Sequence, residues 1–318
     1  MRAAAALLFL CLPVFAVEPV LERNQPSALY ALGDIHGDYD RMIRLLRAAQ
    51  LIDAQNAWSA RDSVLVVTGD MIDKGPRPVE VIRFLASLRK SAPQFGSEVI
   101  VLAGNHEAEF LAGLNGEKSA AFVDDLRQAG LKAEDVAACR GDVGKFLCSL
   151  PFAARVGDWF FCHAGNTGGR TLARLGLDLR EGFAAQRYAS GQLLGPESIL
   201  EARLGEGNEW MAIAGRSEHD VLASYALALG VRHILQGHQH GAVRFDDGIE
   251  RQAGEMFQRW GLLFLIDVGM SSEINDSAGA LLEIRHGSAT AICPDGARTL
   301  LWNEHTEQDS GRAACSKR

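Results

Sequence analysis

Short apolar runs, many of them β-branched or aromatic, recur along the chain and are separated by stretches with helical spacing. Residues 28–32, 64–68, 99–103, 159–162, 233–236 and 262–268 read as buried strands. Residues 39–49 place Met42, Ile43, Leu45 and Leu46 on one side of a helix, and 78–88 opens with a proline suited to a first helical turn. Residues 220–229 form a third apolar-faced helix with Ser217 as its cap. Strands alternating with helices predict an α/β fold with much parallel sheet. Two hairpins complicate that picture: 280–285 with 289–292 around His286-Gly287-Ser288, and 152–156 with 159–162 around Gly157-Asp158. Two packed sheets with helices outside accommodate both features. The helix-rich stretches 107–150 and 171–204 read as insertions forming a cap, with no linker dividing the chain.

Composition narrows the classes. The 318 residues are 47% hydrophobic and 23% charged, as in folded globular proteins. The net charge of −8 and the lack of any Lys/Arg-rich run argue against nucleic acid or an anionic membrane as partner. Arg2 followed by apolar residues 3–15, and small or slim Val14 and Ala16, predict a signal peptide over 1–16. Cleavage after Ala16 leaves a domain over 17–318 with no stable membrane anchor, periplasmic or secreted. Leu10 before Cys11 disfavours a lipoprotein. Five cysteines remain, and the expected pairs are Cys139–Cys148 and Cys293–Cys315. Cys162 stands one residue before His163, so it faces the other side of its strand and reads as a core thiol.

Polar motifs sit where the predicted strands end: Gly33-Asp34-Ile35-His36-Gly37-Asp38, Gly69-Asp70-Met71-Ile72-Asp73-Lys74-Gly75, Gly104-Asn105-His106-Glu107, His163-Ala164-Gly165 and Gly237-His238-Gln239-His240. Ligands of open α/β sheets bind beyond the carboxyl ends of strands, so five such motifs can converge. Carboxylate, amide and imidazole donors suit Mn, Fe, Zn or Co, and there are too many of them for one ion. One Asp or Asn alone would read as a helix cap; the histidines among them favour metal.

This series resembles the calcineurin-like metallophosphoesterase superfamily, in its phosphoprotein-phosphatase branch, and residues 29–111 are most like the bacterial Shewanella-like phosphatases. The resemblance covers roughly residues 29–272. It implies a four-layered αββα sandwich and two divalent metal ions, Mn foremost with Fe or Zn as options. Asp34 and His36 would bind the first ion, Asp70 both, and Asn105, His163 and His238 the second. His240 binds the first ion in broader members. His106 would be the general acid, oriented by Asp73, and Asn105 would also contact phosphate. The branch has an arginine where this chain has Lys74, and lysine cannot make the bidentate contact. Lys74-Gly75-Pro76 and His163-Ala164-Gly165 are similar to the diadenosine tetraphosphatase-like branch instead. A second phosphate-binding arginine is expected before the last motif, with Arg216, after Trp210, as candidate.

The implied reaction is attack on phosphorus by a metal-activated hydroxide, with His106 protonating the leaving group. Three readings compete. The first is a phosphatase of phosphomonoesters, on phosphoproteins or small esters. The second is a dinucleoside polyphosphate hydrolase or phosphodiesterase. The third is a non-catalytic metal-binding protein, against which His106 and Asp73 count.

Overall fold

The computed structural model describes residues 18–204, 211, 213, 215–274, 277–306 and 308–315. The expected signal peptide and Trp210 lie outside them. From its start the chain runs β1 (Val20–Arg23), β2 (Ala28–Leu32), α1 (Tyr39–Ala48), β3 (Ser63–Val67), α2 (Pro78–Ser91) and β4 (Glu98–Val101). Four helices follow: α3 (Asn105–Ala112), α4 (Glu117–Gln128), α5 (Ala133–Ala137) and α6 (Gly141–Leu147). Strands β5 (Ala153–Val156) and β6 (Trp159–Cys162) precede α7 (Leu172–Gln186), α8 (Gly191–Leu194) and α9 (Glu218–Leu229). The rest is mostly β: β7 (His233–Gln236), β8 (Val243–Arg244), β9 (Glu250–Arg251), β10 (Met256–Arg259), β11 (Leu263–Leu265), β12 (Leu281–Arg285), β13 (Ser288–Ile292), β14 (Arg298–Asn303) and β15 (Ser310–Ala313).

Local chemistry sets the helix ends. The Asp38 carboxylate accepts from the Arg41 amide and starts α1, whose Met42, Ile43, Leu45 and Leu46 are buried. Pro78 begins α2. Ser217 caps α9 by accepting from the Asp220 amide, and Gly230 ends it with φ 68°.

Two large mixed sheets form the body. One has the order β14-β13-β12-β2-β3-β4, with β2, β3 and β4 parallel and β12 antiparallel to β2. The other has the order β1-β5-β6-β7-β11-β10-β15, with β6, β7 and β11 parallel. Both expected hairpins are present, as β5/β6 and β12/β13. Trp302 of β14 packs edge-on to Trp159, His233 and Phe264 of the facing sheet, joining the two in one core.

The C-terminal stretch departs from expectation. It supplies two strands that no apolar run predicted, β14 and β15, one at the edge of each sheet. Arg298, Thr299 and Arg312 are exposed because edge strands are half solvated, which hides the alternation. The run 262–268 pairs only through Leu265, and the chain then turns away, carrying Asp267 off the strand. Disulfides join Cys139 to Cys148 and Cys293 to Cys315, while Cys162 is free and buried.

Candidate metal centre

Six parallel strands, three from each sheet, deliver their carboxyl ends to one place. Bonds between the ends hold them in register. The Ile35 and His36 amides both donate to the Asp70 carbonyl, at 3.0 and 2.8 Å, and tie the loop after β2 to the loop after β3. Across the sheets, the His238 amide donates to the Asp34 carboxylate at 3.0 and 3.1 Å. The His163 ring bonds to the Thr68 carbonyl through Nδ1 at 3.0 Å. His36, Asp70, Asp73, Lys74 and His238 all have positive φ, a costly backbone state kept because the surrounding bonds over-determine it. Gly237 is required by proximity: a Cβ there would lie 2.2 Å from Asp34 Oδ1.

Asp70 is the hub. Its Oδ2 lies 3.6 Å from His36 Nε2, 3.6 Å from His106 Nε2 and 3.4 Å from His163 Nε2. His163 Nε2 is also 3.0 Å from Asn105 Oδ1 and 3.1 Å from His238 Nδ1. All these groups are buried. Two sets with converging donor atoms result, His36–Asp70–His106 and Asp70–His163–His238. Behind His106, Asp73 Oδ2 stands 3.0 Å from Nδ1, an ion-pair contact whose angle is bent away from a linear hydrogen bond.

At His36 the arrangement sets lone pairs against one another. Nδ1 of His36 is bonded to the Ile72 carbonyl at 3.0 Å, so a neutral ring turns the bare Nε2 toward the Asp70 carboxylate. Burial pushes His36 down to about 4, so the ring is neutral at ordinary pH. The Asn105 amide is fixed because Nδ2 donates to Glu201 Oε1 at 3.0 Å, which aims Oδ1 at His163. Burial works against charge on His163, but Asp70 and Asp34 outweigh it and raise the ring to about 10. Burial and the His163 charge hold His238 well below its usual value. Burial, reinforced by the Asp267 charge, pushes Asp34 well up. Burial also opposes charge on Asp70, but His106 and His163 prevail and hold it well down. A bare His36 Nε2 facing the Asp70 carboxylate in a buried, carboxylate-rich space calls for a cation, and these oxygen and nitrogen donors fit divalent metal. Rings anchored through the far nitrogen to carbonyls are how proteins orient imidazole ligands.

The other expected residues fall around this cluster. Lys74 is exposed, and its charge reaches His36. His240 Nδ1 lies 3.5 Å from Asp267 Oδ2 at the margin. Arg216 is not brought in. It is exposed, donates from Nη2 to the Asp220 carbonyl at 2.6 Å and acts on Asp220 and Tyr225.

Comparison with known proteins agrees with this geometry. The Calcineurin-like phosphoesterase family matches residues 28–242, more than half the chain and every strand-end motif. The chain belongs to that family. It is a metal-dependent phosphoester hydrolase. Shewanella-like protein phosphatase 2 of Arabidopsis thaliana is 26% identical, over 85% of this chain and 78% of the relative. A symmetrical bis(5'-nucleosyl)-tetraphosphatase of Buchnera aphidicola is 31% identical over 34% of this chain and 33% of its own. The cold-active protein-tyrosine phosphatase of a psychrophilic Shewanella has the same fold, with a TM-score of 0.68 at 20% identity, covering 90% of this chain and 84% of that one.

Within this phosphoesterase, four residues matter that sequence reasoning left without a role. Glu107 is fully buried, and its carboxylate accepts from the amides of Asp70, Met71, Ile72 and Gly104 at 2.8–3.2 Å. Its place in the third motif was the available signal. Asp267 is buried with Oδ2 lacking a hydrogen bond, and it too follows an apolar run and precedes a glycine by two, as a strand-end ligand would. Glu201 bonds Asn105, and the exposed Arg203 acts on His238 through its charge; neither lies in a motif.

Proposed function

We propose that this phosphoesterase is a dinuclear-metal phosphatase of phosphomonoesters, on phosphoproteins or small phosphate esters. The observation that supports it most is the Asp70 carboxylate set among three imidazole Nε2 atoms within 3.6 Å, with Asp73 behind His106. Asp34, His36 and Asp70 would hold one ion, and Asp70, Asn105, His163 and His238 the other, with His240 as a further donor to the first. When bound, the metal pair supplies charge to the phosphoryl oxygens and makes a water acidic enough to attack. Manganese is the ion we propose, with iron or zinc as options that the same nitrogen and oxygen donors accept.

The chain's own side chains do the rest. His106 gives its Nε2 proton to the leaving oxygen, and Asp73 holds the ring and offsets its charge. Lys74 and Arg203 are the cations best placed for phosphate, with Arg203 in the part first given to Arg216. The second Nδ2 hydrogen of Asn105 is free to donate to a phosphoryl oxygen. Export to the periplasm or beyond, after loss of residues 1–16, is the compartment we favour, supported by the two disulfides.

A specific observation favours a second reading, hydrolysis of dinucleoside polyphosphates. Lys74 replaces an arginine, and the tetraphosphatase of Buchnera aphidicola is similar over a third of the chain. Assays on p-nitrophenyl phosphate, bis-p-nitrophenyl phosphate and diadenosine tetraphosphate with Mn separate these readings. The monoester is expected to turn over fastest; faster cleavage of diadenosine tetraphosphate would replace the proposal with the second reading.

A further inference from the structure

Glu201 belongs to the segment between α8 and α9, in an insertion that carries no motif. Yet it touches two members of the cluster. Its Oε1 accepts from Asn105 Nδ2 at 3.0 Å, and its carbonyl oxygen lies 3.2 Å from His238 Nε2. Lys118 of α4, from the other insertion, donates to the same Oε1 at 3.2 Å and also to Glu109 of α3. Lys118 and Glu201 are half-buried, with side chains 31% and 18% exposed, so this pairing is shielded from full solvent screening.

The carboxylate decides which way the Asn105 amide faces. A carboxylate only accepts, so Asn105 must present Nδ2 to Glu201 and Oδ1 to His163. Without Glu201, nothing on that side distinguishes the amide from its flipped form, which would aim NH2 at the place where a cation belongs. Lys118 holds the Glu201 side chain in place by donating to the same oxygen that Asn105 uses. The Ser198 hydroxyl accepts from the Glu201 amide at 3.2 Å and fixes the backbone from which the side chain reaches.

We infer that Glu201 is a positioning residue for the second metal ion, acting through the Asn105 amide and His238, and that Lys118 and Glu201 latch the two insertions together at that ion. The inference rests on the two-metal reading above. It predicts that the identity of residue 201 tunes metal affinity at one ion and leaves the other alone. A Gln at 201 keeps an oxygen to accept from Asn105 and Lys118; an Ala does not.

The test is Mn titration of metal-stripped protein by calorimetry, on wild type, Glu201→Ala and Glu201→Gln, with urea unfolding of each to confirm the fold. Wild type should bind two ions. Glu201→Ala should lose about 10–100-fold affinity for one of them, as removal of a group that orients a ligand does. Glu201→Gln should stay within about threefold of wild type, a rescue that a plain ion-pair role would not give. Unchanged affinities in Glu201→Ala, or a Gln variant falling as far as the Ala variant, would overturn the inference while leaving the two-metal reading standing. Failure of wild type to take up two ions would overturn both, and would show in the first titration.

Discussion

His106 tests most sharply what a single side chain contributes. It lies as close to Asp70 as His36 does, so distance alone does not separate an acid from a metal ligand. Chemistry does. An alkoxide leaving group needs a proton and p-nitrophenolate does not, and general-acid help is typically worth ~10²–10⁴-fold. His106→Asn should lose about that factor on phosphoserine and much less on p-nitrophenyl phosphate, with both metals retained. Equal losses on both substrates, or a lost metal, would make His106 a ligand or a phosphate contact. Glu107 contributes differently, because it never faces substrate. Its carboxylate holds four backbone amides, and Glu107→Ala would leave them buried without a partner. The loss should reach about 3 kcal/mol or more in urea unfolding; a loss under about 1 kcal/mol would mean that water replaces the carboxylate.

Among the elements, the strand ends were the most legible part of the chain. Runs 28–32, 159–162 and 233–236 coincide with β2, β6 and β7, because fully buried parallel strands are apolar on both faces and polar ligands must follow them. Edge strands were not legible, since β14 and β15 are half solvated. β10 was missed because Gln258 and Arg259 are buried polar residues that break its apolar run. The converging donors could be read from motifs for the same reason the strands could. Glu201 and Arg203 could not, because their contacts come from how the segment after α8 folds back on the site and no local spacing records that. The crowding at Gly237 gives a test at this scale. A methyl there meets Asp34 Oδ1 at 2.2 Å, so Gly237→Ala must displace either the carboxylate or the His238 loop. We expect metal content to fall below two per chain, by elemental analysis, while circular dichroism keeps the wild-type spectrum. Full metal content would show that the strand end gives way without disturbing the ligands. The Cys139–Cys148 bond acts on α5 and α6, far from this crowding in sequence. Its short loop should contribute about 2–3 kcal/mol, so a Cys139→Ser/Cys148→Ser variant should unfold at lower urea with little change in metal content; unchanged unfolding would mean that the helices pack without it.

For the whole molecule, the governing fact is that two sheets meet with their parallel strands ending at a common seam. Neither sheet alone has the donors for two ions: Asp34, His36, Asp70 and Asn105 follow strands of one, and His163 and His238 follow strands of the other. Metal binding and sheet packing are therefore linked. Ions that bind only the assembled seam stabilise the fold by mass action, and Mn should raise the unfolding midpoint of stripped protein where Mg, which favours all-oxygen sites, should raise it less. Equal stabilisation by both would place the ions away from the histidines. Asp70 stands at the seam and belongs to both converging donor sets. The most direct test is metal content and p-nitrophenyl phosphate turnover measured together on wild type and Asp70→Asn. Two ions per chain with turnover in wild type, and at most one ion with nearly all turnover lost in Asp70→Asn, is the predicted result; two ions and normal turnover in Asp70→Asn would contradict it.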